Sequence, residues 1–179
     1  MWVIIDYYID IILFIFPILF LYLANTKISF KNIFKYLGFK KISFKNITKH
    51  SLILYFLIFL VSSLITLIFN LFGYQDLGLV SIKILSVPIY YIIYLFVVRV
   101  FIEEFFFRAF LVKKIGIVLS ALLFGIAHLG YSSIVEVVGA FILGLLLGYY
   151  FKKTDNIYPN IIAHFLYDAS VYILLLYFI

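Results

Sequence analysis

The sequence predicts an all-α membrane protein, a polytopic bundle of about six transmembrane helices. Of its 179 residues, 67% are hydrophobic and only 12% are charged, and the mean hydropathy is +1.23. These values lie far outside the usual composition of a soluble domain. The apolar residues also form separate stretches, most of them close to the roughly 20 residues that a helix needs to cross a bilayer.

The composition also excludes several kinds of chemistry. The chain has no cysteine, so it has no disulfide framework, no thiol nucleophile and no thiolate metal site. Its net charge is +6, but the lysines cluster between apolar stretches, where attraction to anionic lipids is the ordinary explanation. We therefore expect membrane lipids as partners and no nucleic acid. Any catalysis must rest on Glu, His and Asp.

Six stretches are predicted to span the membrane. The first lacks the basic n-region and the cleavage site of a signal peptide, so we expect a retained helix. The third contains Pro88 and continues toward Val112, which is too long for one crossing, so we expect a bend near Pro88 or a break near Arg99. Pro159 is well placed to open the sixth. The predicted spans are 2–23, 51–72, 79–98, 115–129, 134–151 and 161–179.

A ridge of small residues lies on the fifth span. Ala140, Gly144 and Gly148 recur at four-residue intervals, which puts them on one face of a helix. Small residues let transmembrane helices approach closely. The ridge predicts close packing, and this structural explanation is sufficient for it.

The segment 25–50 differs sharply from its neighbours, because it holds seven lysines and no acidic residue. The hexapeptide ISFKNI occurs in it twice, at 28–33 and 42–47. We interpret the segment as interfacial peptide with Phe and Ile toward lipid, although a solvated basic loop fits equally well. The positive-inside rule places it in the cytoplasm, with both termini on the other side of the cell membrane. The whole chain, 1–179, is predicted to be one domain.

Three ionisable residues interrupt the apolar stretch 101–112, namely Glu103, Glu104 and Arg108. At about 100° per residue, Arg108 lies about 40° round the helix from Glu104 but about 140° from Glu103. Only Glu104 is therefore placed to form an ion pair with Arg108. Glu103 is expected to point elsewhere, available to another helix.

Two further pairs repeat the four-residue spacing in apolar surroundings, Phe124 with His128 and His164 with Asp168. Counting helical rise from the basic turns puts Glu103, His128 and His164 at similar depths, in one cavity open to the cytoplasmic side. Titratable groups at such depth usually serve a function. Simpler explanations exist for each alone, such as a structural ion pair or a histidine that only packs helices.

Together, these three motifs resemble those of the CAAX protease and bacteriocin-processing (CPBP) family of intramembrane proteases, also called the ABI family. Its pattern is EExxxR, then FxxxH, then HxxxN or HxxxD, each on a separate helix. The resemblance covers 101–169, the motif-bearing core. It implies hydrolysis of a peptide bond within or near the membrane. Members that trim prenylated proteins often have Asn in the last motif, where this chain has Asp168.

The resemblance implies a role for each motif residue. The glutamate would act as general base on water with one histidine, and the second histidine with Asp168 would stabilise the oxyanion or position the water. An ionised Asp168 has no proton to donate to an oxyanion, so it would act through His164, through water or in its protonated form. The implied catalytic residues are Glu103, His128, His164 and Asp168, and the supporting residues are Glu104, Arg108 and Phe124.

The family is also described as metalloproteases. Two histidines and one carboxylate with an open position form a familiar catalytic zinc set, here Glu103, His128 and His164. A metal-free glutamate mechanism uses the same residues. The sequence leaves Zn²⁺ and the metal-free mechanism equally open.

The sequence thus favours an intramembrane endopeptidase, resembling the type II CAAX prenyl proteases, that acts on a membrane-associated peptide or a lipidated protein. The alternative is a catalytically inactive scaffold, immunity or regulatory protein with the same fold. A transporter is disfavoured because two related halves with broken helices are absent from the sequence. The substrate and the oligomeric state stay open.

Overall fold

The computed structural model describes residues 2–24, 29–74 and 76–178, and all regular elements in these ranges are helical. Two π-helical segments, Leu95–Arg99 and Glu104–Leu111, and a 3₁₀ turn, His128–Tyr131, interrupt the α-helices. The α-helices are α1 Trp2–Ala24, α2 Phe30–Tyr36, α3 Phe44–Leu71, α4 Leu77–Leu85, α5 Ile89–Tyr94, α6 Val100–Glu103, α7 Val112–Ala127, α8 Ile134–Thr154 and α9 Tyr158–Phe178.

Within the described ranges, five helical stretches are long and apolar enough to cross a membrane, and the longest, Ile89–Tyr131, has 43 residues. Gly116 divides it, because its φ of 87° and ψ of 173° are not helical. Glycine adopts this conformation without strain. After the turn α7 runs back along the π-helical segment, where Ser120 Oγ donates to the Phe107 carbonyl at 2.6 Å. The predicted bundle of about six spans is therefore confirmed.

Pro88 breaks the third predicted span. The helix α4 ends at Leu85, and Pro88 with its extended backbone (φ −68°, ψ 153°) precedes α5. Proline has no N–H to donate and its ring clashes with the preceding helical turn. Of the two expected positions, the break near Pro88 is confirmed. At Arg99 the helix continues in π-helical form.

The small-residue ridge packs α8 against α7, as predicted. A Cβ atom at Gly144 would lie 3.1 Å from Ala121, and one at Gly148 would lie 3.0 Å from Ile117. Any larger side chain at either position would push α7 and α8 apart. The ridge therefore sets the position of α7, which carries Phe124 and ends at His128.

The basic segment is more closely integrated into the bundle than predicted, although 25–28 lies outside the described residues. In the first ISFKNI copy Ile33 is buried and packs in the main apolar core, so its predicted orientation toward lipid is wrong. In the second copy Phe44 is 84% exposed, as an interfacial residue would be. Ser43 accepts a hydrogen bond from the Asn46 amide and caps α3. Two copies of one hexapeptide thus have different surroundings.

Helix α3 lies against α8 and α9, and α1 lies against α6 and the π-helical segment that follows it. Two hydrogen bonds hold α3 in this position, since His50 Nδ1 lies 2.8 Å from Tyr150 Oη and Tyr55 Oη lies 2.9 Å from Ser170 Oγ. The α7 hairpin, α8 and α9 meet around the residues of the three motifs.

Candidate active site

Glu104 is the centre of a buried polar assembly. Its carboxylate is fully buried and its Oε1 lies 3.4 Å from Arg108 Nη1, which is the predicted ion pair. The same oxygen accepts from His164 Nδ1 at 2.9 Å. Oε2 accepts from Asn160 Nδ2 at 3.3 Å. One carboxylate thus joins the first motif to α9, although the prediction gave Glu104 only a supporting pair with Arg108.

Arg108 is held by charge and by an aromatic ring. Its guanidinium is 1% exposed, and neither terminal nitrogen makes an aligned hydrogen bond within the described part of the chain. The guanidinium carbon lies 3.9 Å from the centre of the Phe124 ring, close enough for a cation–π interaction. The same ring also packs edge-on against both imidazoles, at 4.6 Å from His128 and 6.3 Å from His164. Phe124 therefore packs against all three motifs.

Helix α9 presents three polar residues on one face. It begins at Tyr158, three residues earlier than predicted, so Asn160 is a buried helical residue rather than part of a polar turn. His164 follows one turn later, with Nε2 3.6 Å from Asp168 Oδ2. Sequence reasoning missed Asn160, although its four-residue spacing from His164 was a usable signal.

His128 closes α7 at the start of the 3₁₀ turn. Its Nδ1 lies 2.8 Å from the Phe124 carbonyl, and because a carbonyl oxygen only accepts, Nδ1 must carry the hydrogen. In the neutral ring Nε2 is then the acceptor. The Tyr131 ring stacks on the imidazole at 5.9 Å between centres. The ring is thus oriented by its own helix.

Glu103 is paired on its own helix. Its Oε1 accepts from Arg99 Nε at 3.2 Å, so this oxygen is not available to another helix as expected. No described residue hydrogen-bonds to Oε2. The Glu103 charge still acts on His164, Asp168 and Tyr131. The carboxylate therefore shares the electrostatic environment of the second and third motifs without touching their imidazoles.

Glu136 is a further carboxylate near the site, which sequence reasoning did not single out as a site residue. It lies in the first turn of α8, where its amide donates to Ser133 Oγ at 3.0 Å. Its electrostatic partners include His128, Glu103 and His164. An acidic residue in a first turn is common for helix-end reasons alone, so no sequence signal separated it from an ordinary cap.

The zinc hypothesis does not fit this arrangement of side chains. Within 2–24, 29–74 and 76–178, no three His, Asp or Glu side chains are grouped closely enough to hold a metal ion. His164 faces Glu104 and Asp168 with its two nitrogens, and Glu103 faces Arg99. Zinc binding stays a prediction, and no step proposed below depends on it.

A comparison with protein-family models identifies the motif region. Residues 85–170 match the model described as type II CAAX prenyl endopeptidase Rce1-like. This match supports the resemblance to the CPBP family that the three motifs predicted. All three CPBP motifs lie within the matched residues, while α1, α2 and α3 lie outside them. Neither the curated proteins nor the solved structures contain a match.

The match to this family implies protease activity in general, and the long apolar helices indicate a multi-pass membrane protein. The structure adds that Glu104, His164 and Asn160 form one buried hydrogen-bonded assembly. Glu103, His128, Asp168 and Glu136 lie around it. Their carboxylates and imidazoles are the kinds of group that a hydrolytic reaction needs as a base, a proton carrier and an oriented imidazole.

Proposed function

We propose that this protein is an intramembrane endopeptidase of the CPBP type that hydrolyses a peptide bond of a membrane-associated or prenylated protein with a glutamate-activated water. The observation that best supports this is the fixed orientation of both imidazoles. His128 and His164 each commit Nδ1 to an acceptor of the protein, Phe124 O and Glu104 Oε1. His128 thereby leaves Nε2 for water or substrate, and His164 Nε2 lies 3.6 Å from Asp168 Oδ2, beyond hydrogen-bond distance.

In the proposed reaction Glu103 is the general base. Its Oε2 takes a proton from water while the water oxygen attacks the scissile carbonyl carbon, and His128 Nε2 orients the water by accepting its other hydrogen. The proton then passes from Glu103 to the leaving amide nitrogen as the carbon–nitrogen bond breaks. Glu103 would thus return to its starting form without a covalent intermediate.

His164 would stabilise the oxyanion. In its imidazolium form Nδ1–H is donated to Glu104 and Nε2–H faces Asp168. That second hydrogen, which has no full hydrogen bond to Asp168, would be donated to the oxyanion as negative charge develops there. An ionised Asp168 accepts but does not donate, so its part is to hold His164 or water. Glu104, Arg108 and Phe124 would support this imidazole.

Substrate would enter from the cytoplasmic side. The basic residues of the segment 25–50 support this orientation through the positive-inside rule. Lys40 and Lys113 meet at Asp155 at the same end of the bundle. A prenyl group or an apolar peptide would reach the site along the lipid-facing surface.

The test is cleavage of a panel of prenylated and unprenylated membrane peptides by the purified full-length protein in lipid. We expect the variant Glu103→Ala to lower kcat by about 10²- to 10⁴-fold, the usual contribution of a general base. The control Lys45→Gln removes an exposed charge in the basic segment and should cleave like the wild type. Each protein is assayed with and without a chelator.

Cleavage that survives Glu103→Ala would contradict the assigned base. Loss of cleavage in chelator, restored by Zn²⁺, would decide for a metal. No cleavage of any peptide by folded wild type would favour the scaffold, immunity or regulatory alternative.

A further inference from the structure

A second charged cluster connects α1 to the proposed base. Arg99 donates from Nε to Glu103 at 3.2 Å, while its Nη1 lies 3.0 Å from Asp10 Oδ1 and 3.7 Å from Asp6 Oδ1. Asp10 is almost fully buried. All four side chains lie within or beside membrane-spanning helices, where charged groups are costly and usually serve a function.

Arg99 uses different nitrogens for the two helices. Nε holds Glu103 on its own helix, and Nη1 forms the ionic contacts with α1. The guanidinium is planar and rigid, so the distance between these nitrogens is fixed. The position of α1 is therefore transmitted to the Glu103 carboxylate.

Tyrosine hydroxyls hold the two aspartates in turn. Tyr91 donates to Asp6 and Tyr94 donates to Asp10. The Tyr7 ring packs edge-on against the Tyr94 ring at 4.5 Å. The acceptors that anchor Arg99 are thus themselves fixed in place, which a base under strict positional control requires.

The contact of Arg99 with Glu103 leaves one carboxylate oxygen for chemistry. Oε1 is occupied by Arg99, and Oε2 has no hydrogen bond from residues in the described ranges. A carboxylate held through one oxygen has few remaining orientations. Its free oxygen is then directed rather than mobile.

We propose that Arg99, anchored by Asp10 and Asp6, is a positioning residue that orients Glu103 for water activation, which makes α1 part of the catalytic apparatus. The inference rests on the proposed role of Glu103. It gives a function to charges of α1, which lies outside the residues that match the family model.

The experiment measures kcat and KM for wild type, Glu103→Ala, Arg99→Gln, Arg99→Lys and Asp10→Asn, full length in lipid, with the peptide that wild type cleaves fastest. We expect Arg99→Gln to lower kcat by about 100-fold, as a misplacement of about 1 Å does, with KM within about twofold. Arg99→Lys should recover part of the loss because it restores the charge but not the two-pronged geometry. Asp10→Asn should lower kcat less than Arg99→Gln, since Asp6 remains.

Thermal unfolding in lipid separates misfolding from misplacement. If Arg99→Gln does not fold, Asp10→Asn decides, because it keeps both Arg99 and Glu103. If Glu103→Ala is inactive, a wild-type kcat in folded Arg99→Gln would overturn this inference but not the proposed function. If Arg99→Gln fails to fold, a wild-type kcat in folded Asp10→Asn would do the same. Equal losses in kcat and in affinity would also overturn it, since a positioning role changes kcat selectively. Absence of cleavage by folded wild type would overturn the proposed function and this inference together.

Discussion

Two adjacent glutamates pair with the only two arginines of the chain, one turn away in opposite directions along the helix. Glu104 and Arg108 are sealed, with side chains 0% and 1% exposed. Glu103 and Arg99 keep 15% and 23% of their side chains exposed. The sealed pair is bonded to α9 and the open pair to α1. Identical chemistry thus gives one pair that organises the bundle and one whose carboxylate retains access to water.

The largest expected effect is a difference in the free energy of unfolding between variants of the two glutamates. Glu104→Ala leaves the buried Arg108 without its counter-charge, and we expect a loss of about 3–5 kcal/mol in the free energy of unfolding. Glu103→Ala should lose about 1 kcal/mol or less, because Arg99 keeps Asp10 and the pair is partly exposed. Denaturant unfolding in mixed micelles measures both.

A double variant sharpens this prediction. Replacing Glu104 and Arg108 together by Leu removes both buried charges, which is commonly less destabilising than removing one. We expect stability to recover above that of Glu104→Ala while cleavage stays lost, because His164 has no partner for Nδ1. A double variant as unstable as Glu104→Ala would contradict the interpretation that the uncompensated charge is the cause.

A smaller effect is expected at Asn160, the third partner of the sealed pair. Asn160→Ala removes the donor to Glu104 Oε2 and to the Leu147 carbonyl at 2.9 Å. Unpaired buried acceptors cost about 1–3 kcal/mol, so both stability and kcat should fall. Asn46→Ala, at an exposed position in the first turn of α3, is the matched control for unfolding. An Asn160→Ala protein with wild-type kcat would show that His164 does not need this support.

The smallest effect concerns an ion pair at the surface. Asp155 accepts from Lys113 at 2.7 Å and from Lys40. Burial alone would raise the pKa of Asp155, but the two ammonium groups outweigh it and lower that pKa below its ordinary value of 3.8. The stabilisation from this ion pair is therefore complete at pH values above the pKa of Asp155 in the unfolded chain. It is lost as the pH falls through the pKa of Asp155 in the folded protein.

Melting temperatures of wild type and Asp155→Asn across acidic pH measure this. The melting temperatures of the two proteins should differ slightly near neutral pH and become equal in acid. A difference that does not change with pH would show that the effect comes from packing rather than from the charge of Asp155. Comparison of the sealed pair Glu104–Arg108 with the exposed ion pair of Asp155 should show how strongly burial determines the contribution of an ion pair to stability.

Local rules predicted much of this molecule from its sequence. Hydropathy and length predicted the spans, proline chemistry predicted the break at Pro88, and four-residue spacing predicted both the ridge at Gly144 and the Glu104–Arg108 pair. Each depends on residues within a turn or two of one another, so the chain itself carries the information.

Contacts between distant segments were not predictable in this way. Nothing local relates Asp10 to Arg99, or Glu104 to His164, because these contacts depend on how whole helices are placed. The angles used for Glu103 and Glu104 also assume an ideal α-helix, whereas Glu104–Leu111 is π-helical. A boundary before the fourth span was predicted at 115, but the role of Gly116 in the turn was not, since glycine at a span boundary is too common to be specific.

That π-helical segment has a consequence for how the chain tolerates changes of length. Hydrogen bonds in a π-helix close over five residues instead of four, so the ring holds one residue more than the surrounding helix. Deleting a residue between Phe105 and Leu111 would let α-helical bonding resume, but would change the path of the backbone around the Phe107 carbonyl. Ser120, which satisfies the Phe107 carbonyl from the opposite helix, would lose its acceptor. This short stretch should therefore tolerate substitution of the partly exposed Phe106 far better than any deletion.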